Sequence, residues 1–181
     1  MHLSFRRKKF YFIRHGETRF NKEKRYTGLF DLSLNSDGVR QVENSLDILK
    51  IQNISLIYSS PLKRALETAH LISSYLNIPI IIINEFKERD FGSFQTRKKF
   101  NYKKKYFPNA QTLYKHRRET LIGFNKINID NNVLIVAHSG TYKALSKYLL
   151  NLNVSKSIDN ALPICFFQDN TKTWKAVDLN I

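Results

Sequence analysis

The chain has 181 residues, in which 30 Lys and Arg outweigh 15 Asp and Glu to give a net charge of +15. At 42% hydrophobic residues it is too apolar for general disorder, and its length suits a single domain, residues 1–181, with its own core. One cysteine, Cys165, excludes an internal disulfide framework and a Cys-rich metal site; it sits in an apolar run and reads as a small buried hydrophobe.

The basic start, Arg6 to Lys9, is followed by only four apolar residues, Phe10 to Ile13, before Arg14. No signal-peptide apolar region follows, and no stretch nears the ~20 apolar residues of a membrane span. A soluble, cytoplasmic protein with no membrane partner is expected. The positive charge suits anionic substrates such as phosphate esters, or nonspecific contact with nucleic acid. A Lys/Asn/Ile-rich composition accounts for abundant lysine but not for scarce acids. Nothing in the sequence specifies an oligomeric state.

In chain order, Lys9 to Arg14 is predicted as a buried strand. His15-Gly16-Glu17-Thr18 breaks it, and residues 19–35 read as loop. Asn35 or Ser36 caps a helix to about Lys50, with Val39, Val42, Leu46 and Leu49 on one face. Ile54 to Tyr58 is a second strand. Ser60-Pro61 opens a helix to about Leu76, the proline in its first turn. Pro79 to Ile83 is a third strand, apolar throughout, as a strand covered on both faces would be. Residues 84–109 form a variable basic insert, with Lys98 to Lys105 interleaved with aromatic residues and read as a solvated face. A helix from about Ala110 to Ile127 follows, then a strand from Asn132 to Ala137 ending at His138. Thr141 to Leu150 is a helix, and residues 161–168 and 173–179 form a closing hairpin. The order predicts an α/β fold: a three-layer α/β/α sandwich on a mostly parallel central sheet.

Three segments share one placement. Arg14-His15-Gly16 follows the first strand, Ser59-Ser60-Pro61 with Arg64 the second, and His138-Ser139-Gly140 the fourth. The carboxyl ends of parallel strands lie on one edge of a sheet, where ligands bind. Two histidines and two arginines therefore converge from distant segments, and Glu88, after the third strand, reaches the same edge. Two guanidiniums can grip a phosphoryl group bidentately. A neutral imidazole beside them can attack phosphorus and form a phosphohistidine. The second histidine adds charge at the transferring oxygens, and a protonated carboxyl, for which Glu88 is the candidate over Glu85, serves the leaving oxygen. Gly16 allows a tight turn beside the nucleophile. Arginines beside the histidines disfavour a metal, and no close-spaced ligand pair accompanies them. His2, His70 and His116 read as terminal or helix-surface residues. Arg117 and Arg118 either reach substrate or face water.

These blocks resemble the histidine phosphatase superfamily, in the branch of cofactor-dependent phosphoglycerate mutases and small phosphatases. Arg14-His15-Gly16-Glu17-Thr18 with Asn21 resembles the family's nucleophile motif. Thr27-Gly28, Asp31 to Leu34, Gly38 and Gln41 resemble its next block. Ser60 to Ala65 with Thr68-Ala69 is similar to its SxLxRAxxTA helix. Glu88 to Gly92 resembles its acid-bearing segment, and Val136 to Gly140 its second-histidine motif. Asn160 and the closing hairpin resemble its ending.

The resemblance, which spans about residues 9–180, implies a phosphoglycerate mutase-like fold. It makes His15 the phosphorylated nucleophile, Arg14, Arg64 and His138 the phosphate pocket, and Glu88 the proton donor. Asn21, Thr27, Gly28 and Ser139 become phosphate or substrate contacts, and Glu17 supports the pocket. No metal and no cofactor is implied. The departures are Gln95-Thr96, where many phosphatases carry an acidic residue and glycine, and Ser139 in place of a commoner glycine. Gln95 and Glu88-Arg89 look mutase-like, yet the stretch from Glu88 to His138 is much shorter than in mutases. The expectation is a phosphatase acting on a small phosphorylated substrate. The alternatives are a mutase, or a nucleic-acid-binding protein on a degenerate phosphatase scaffold.

Overall fold

A computed structural model describes residues 8–99, 107–151 and 158–179. Within them the elements run β1 (Lys9–Arg14), α1 (Arg19–Lys22), α2 (Ser36–Lys50), β2 (Leu56–Ser59), α3 (Lys63–Leu76), β3 (Ile80–Ile82), α4 (Leu113–Asn125), β4 (Val133–Ala137), α5 (Ser139–Leu150), β5 (Pro163–Gln168) and β6 (Trp174–Asp178), with single 3-10 turns at Asn84–Phe86 and Gly92–Phe94. His2, and Phe100 to Tyr106 of the basic insert, lie outside the described residues.

The strands form one sheet in the order β3-β2-β4-β1-β5-β6. β1 to β4 run parallel, and β5 and β6 return antiparallel. Successive side chains of a strand point to opposite faces, so each strand feeds two cores. Phe10 and Phe12 of β1, with Val133 and Ile135 of β4, pack against Phe124 of α4 and Leu145 of α5. Tyr11, Ile13, Leu134 and Val136 face the other way, onto Val42 and Leu49 of α2 and Ala65, Ala69 and Ile72 of α3. The three-layer, mostly parallel sandwich expected from the sequence is the fold observed. Truncating a fully buried Ile or Leu of these layers to Ala costs about 2–5 kcal/mol.

Several local expectations are corrected. The segment read as loop from residue 19 begins with α1, one helical turn nucleated by a capping box in which Thr18 and Asn21 satisfy each other's backbone N–H groups. Pro61 stands two residues before Lys63, the first helical residue, and not in the first turn of α3. β3 is shorter than expected and is not covered on both faces. It is an edge strand, with Ile81 45% and Ile82 52% exposed. Its apolar run reflects β-branched strand propensity rather than burial. Cys165 is buried at 7% exposure, as its apolar neighbours suggested.

The topology decides where chemistry can occur. β1, β4 and β2 are adjacent and parallel, with Arg14 opposite Ala137 and Ser59 opposite Val136. Residues 15, 60 and 138, one step beyond, therefore emerge side by side.

Candidate active site

The three strand ends open into a cavity of about 830 Å³ lined by Arg14, His15, Arg64, Glu88 and Ser139, among others. Each group of its floor is held by hydrogen bonds, the two arginines by backbone carbonyls of other segments. His15 donates from Nδ1 to its neighbour Gly16 O at 2.7 Å, while Arg64 Nε donates to His15 Nε2 at 3.2 Å. Those partners fix the tautomer: the proton sits on Nδ1, and the Nε2 lone pair is presented beside a guanidinium. Arg64 also donates to the carbonyls of Phe30 at 3.0 Å and Gly28 at 2.9 Å, so the loop after α1 clamps its fork. Arg14 Nη1 donates to Ile158 O at 2.6 Å. His138 Nε2 lies 2.8 Å from Ser60 Oγ, its ring centroid 5.2 Å from that of His15.

Gly16 serves close approach more than the tight turn first expected. A Cβ there would collide with Gly38 O and lie 3.1 Å from Val42 Cγ2, and one at Gly38 would lie 2.6 Å from Glu17 N. The paired glycines let the start of α2 press against the loop that carries His15. Glu17 lies behind that loop, where its carboxylate accepts from Asn35 Nδ2 at 2.8 Å.

The electrostatics follow from burial among cations. His15 and His138 are held well below the usual histidine pKa, by burial first and then by the Arg64 guanidinium. Both are neutral at physiological pH. Burial also lowers Arg64, to about 10, leaving it charged at neutral pH. Among the described residues, several buried polar atoms at or beside the cavity have no hydrogen-bond partner: Arg14 Nε, His138 Nδ1, Ser139 Oγ and Arg117 Nε. Buried polar groups are normally satisfied, so this cluster fits an oxygen-rich ligand. α5 starts here as well, and its first-turn amides favour an anion.

Each residue singled out in the sequence is accounted for. Arg14, His15, Asn21, Thr27, Gly28, Arg64, Glu88 and Ser139 line the cavity, and His138 lies fully buried beside His15. Asn21 Oδ1 is turned to the loop, accepting from Thr18 N at 3.1 Å and from Asn160 Nδ2 at 3.3 Å. Gly28 acts through its carbonyl on Arg64, and Gln95 Oε1 steadies that loop by accepting from Leu29 N at 2.6 Å. Glu88 accepts from Arg89 N at 2.9 Å and from Gly140 N at 3.2 Å, whereas Glu85 pairs with Lys126 away from the cavity.

The sequence reading missed much of the rim. His116 was placed on a helix surface, but it is 2% exposed and lines the cavity. Positions 116, 120, 123 and 124 are the buried stripe of α4, and this helical spacing was the available signal. Lys99 lines the cavity although the basic stretch was read as a solvated face. It is held there by a short ribbon in which Lys99 N donates to Lys24 O at 2.7 Å. Arg89, Arg117 and Lys143 complete a basic rim, while Arg118 faces solvent. Tyr26, Phe91 and Phe107 pack edge-on and tilted into an aromatic cluster, with the Arg89 guanidinium 5.3 Å from the Phe107 ring.

Fold and cavity together define an α/β protein with a cation-lined cavity over a buried neutral histidine. The model of the histidine phosphatase superfamily (branch 1) matches residues 10–123, and the chain belongs to that superfamily. It is 36% identical over 140 residues to the uncharacterized phosphatase PhoE of Bacillus subtilis, covering 74% of this chain and 72% of that protein. It is 28% identical over 204 residues to the 2,3-bisphosphoglycerate-dependent phosphoglycerate mutase of Buchnera aphidicola subsp. Cinara cedri, covering 85% and 89%. The solved mycobacterial glucosyl-3-phosphoglycerate phosphatase superposes with a TM-score of 0.80 at 20% identity, over 96% of this chain and 98% of that one, a likeness of fold. Among the described residues, no helix is long and apolar enough to cross a membrane.

Proposed function

We propose that this chain is a metal-independent phosphatase that hydrolyses a small phosphomonoester through a phosphohistidine on His15. The observation that carries this reading is the tautomer lock on His15. Its Nδ1 proton is committed to Gly16 O, and its Nε2 lone pair sits 3.2 Å from Arg64 Nε at the cavity floor. A buried neutral imidazole there is a nucleophile needing no further deprotonation.

In the first step Arg64 Nε turns from His15 Nε2 to a phosphoryl oxygen, and the freed Nε2 lone pair forms a P–N bond as the P–O bond to the leaving group breaks. Arg14, Arg64 and the first turn of α5 hold the equatorial oxygens, and His138, if it takes a proton when a dianion enters, adds to that charge. The electron pair of the breaking bond goes to the leaving oxygen, which takes a proton from the Glu88 carboxyl. In the second step water attacks phosphorus, gives its proton to Glu88, and the P–N bond breaks to release phosphate and neutral His15. The guanidiniums stand where a divalent cation would otherwise neutralise phosphate, so retained activity in EDTA is expected.

The rim cations favour a substrate carrying negative charge beyond the transferred group. They equally fit a mutase, in which the phosphoryl group returns to substrate instead of to water. The shorter stretch between Glu88 and His138 favours hydrolysis. A panel of phosphorylated metabolites, assayed for phosphate release and for isomerisation of 3-phosphoglycerate, separates the two. Acid-labile, base-stable labelling of the protein is expected, and its loss in His15→Ala with it. Phosphate release that survives His15→Ala would overturn the mechanism.

A further inference from the structure

His116 and Glu88 meet across the top of the cavity. His116 comes from the buried stripe of α4 and Glu88 from the segment after β3. His116 Nε2 lies 3.8 Å from Glu88 Oε1, and the two side chains are 2% and 13% exposed. Among the described residues His116 Nε2 is buried without a hydrogen bond, so Glu88 is its ion-pair neighbour and a small shift brings the two into contact. The two are kept this close by a residue without a side chain: a Cβ on Gly140 would collide with Glu88 Oε1 and lie 2.7 Å from His116 Nε2. Thr112 O accepts from His116 N at 3.1 Å, and Thr120 Oγ1 donates to His116 O at 3.0 Å, which fixes the ring's base.

A carboxyl meant to protonate a leaving oxygen has a difficulty in this cavity. Arg14, Arg64, Arg89, Lys99 and Lys143 line the same cavity as Glu88. Both of its carboxyl oxygens already accept backbone hydrogen bonds, Oε1 from Arg89 N and Oε2 from Gly140 N. A carboxyl so engaged needs a second group beside it to hand a proton on, and the titratable side chain at that place is His116.

We propose, resting on the phosphatase reading above, that His116 is the positioning residue for this acid: it shares one proton with Glu88 and keeps that proton available at the leaving oxygen. An imidazole can accept from a carboxylic acid or donate to a carboxylate, so the pair holds one proton whichever partner carries it. Two sites facing each other keep one proton at hand for the leaving oxygen. The charged groups facing His116 are Glu88 and Arg89 from the segment after β3, Glu119 on α4 itself, and His138 at the start of α5. Burial lowers the pKa of His116, and Glu88 is the largest influence raising it. In the reaction the shared proton leaves Glu88 for the leaving oxygen as the P–O bond breaks. The pair regains it from the water that opens the phosphohistidine.

The test compares His116→Gln, which cannot hold a proton, with wild type on two substrates. 4-Nitrophenyl phosphate has a leaving group that needs little acid assistance, and glycerol phosphate has one that needs much. The expected result is a loss of kcat on glycerol phosphate at least tenfold larger than on 4-nitrophenyl phosphate. The alkaline limb of kcat is expected to move down by about one pH unit. Placed on Glu88→Gln, the His116 change is expected to cost nothing more. Equal losses on both substrates with an unmoved pH profile, or losses that add to those of Glu88→Gln, would overturn the proposal. A wild type inactive on both substrates would instead sink the phosphatase reading. If His116→Gln does not fold, the His116 ring is titrated by NMR in wild type and Glu88→Gln. A lower His116 pKa in Glu88→Gln supports the shared proton, and an unchanged one refutes it.

Discussion

The cavity has a floor and a rim, and they are built on opposite principles. The floor, Arg14, His15, Arg64 and His138, is supplied by strand ends and the first turn of α3, and its residues are at most 9% exposed. The rim, Arg89, Lys99, Arg117 and Lys143, comes from segments and helix faces that are partly exposed. Chemistry at phosphorus needs fixed geometry, whereas substrate choice can rest on charges that tolerate displacement. In the proposed reaction the floor decides whether a reaction occurs, and the rim decides on what.

The sharpest break of that comparison is His15→Ala. Loss of a nucleophile costs on the order of 10⁴-fold or more in kcat on any substrate. The fold should survive, since His15 contributes one side-chain hydrogen bond to its neighbour and one from Arg64. Phosphate release against a set of unrelated phosphomonoesters checks this; a loss confined to some of them would assign His15 to the rim's role.

The floor also has a signature in stability that the rim lacks. His15 and His138 are both held well below the ordinary histidine pKa by burial. The folded protein refuses protons that the unfolded chain accepts near pH 6.5, so stability is full above that pH and is lost as pH falls below it. At pH 5.5 the cost is about 1.4 kcal/mol for each of the two histidines, about 3 kcal/mol together. Urea unfolding at pH 7.5 and 5.5 measures it. Equal stability at the two pH values would mean that the floor histidines are not neutral.

Arg64→Lys tests whether the floor needs a fork or only a charge. Arg64 bonds two carbonyls and His15 Nε2 at once, and an ammonium on a flexible stem cannot reproduce that plane. A fall of about 10²–10³-fold in kcat is expected. Activity within a few fold of wild type would show that point charge suffices.

The same division explains what the sequence revealed. The floor was legible because strand–turn–helix order places residues 14, 15, 60, 64 and 138 at one edge whatever the side-chain details. Glu88 followed from its place after β3. The rim was not legible, because it depends on which face of a helix turns inward and how a loop is tethered. His116 looked like a surface histidine until its stripe with Thr120, Gly123 and Phe124 was seen to be the buried one. Lys99 looked like one more solvated lysine, and only the pairing of residues 24–26 with 97–99 brings it inward. β3 misled in the opposite sense: five apolar residues suggested a covered strand, but strand order made it an edge.

The smallest effect should come from the rim. Arg117 shares the inward face of α4 with Leu113 and His116, positions one turn apart, and lines the cavity. Arg117→Ala removes one positive charge without touching His15 or its anchors. KM should rise about tenfold, the scale of one partly exposed charge-assisted contact, with kcat nearly unchanged. The rise should be larger for substrates bearing a second anionic group than for a neutral alkyl phosphate, and it should shrink as salt is added. A fall in kcat on every substrate, insensitive to salt, would mean that Arg117 positions the reacting group. The boundary between floor and rim would then have to be redrawn to include α4, the helix that also carries His116.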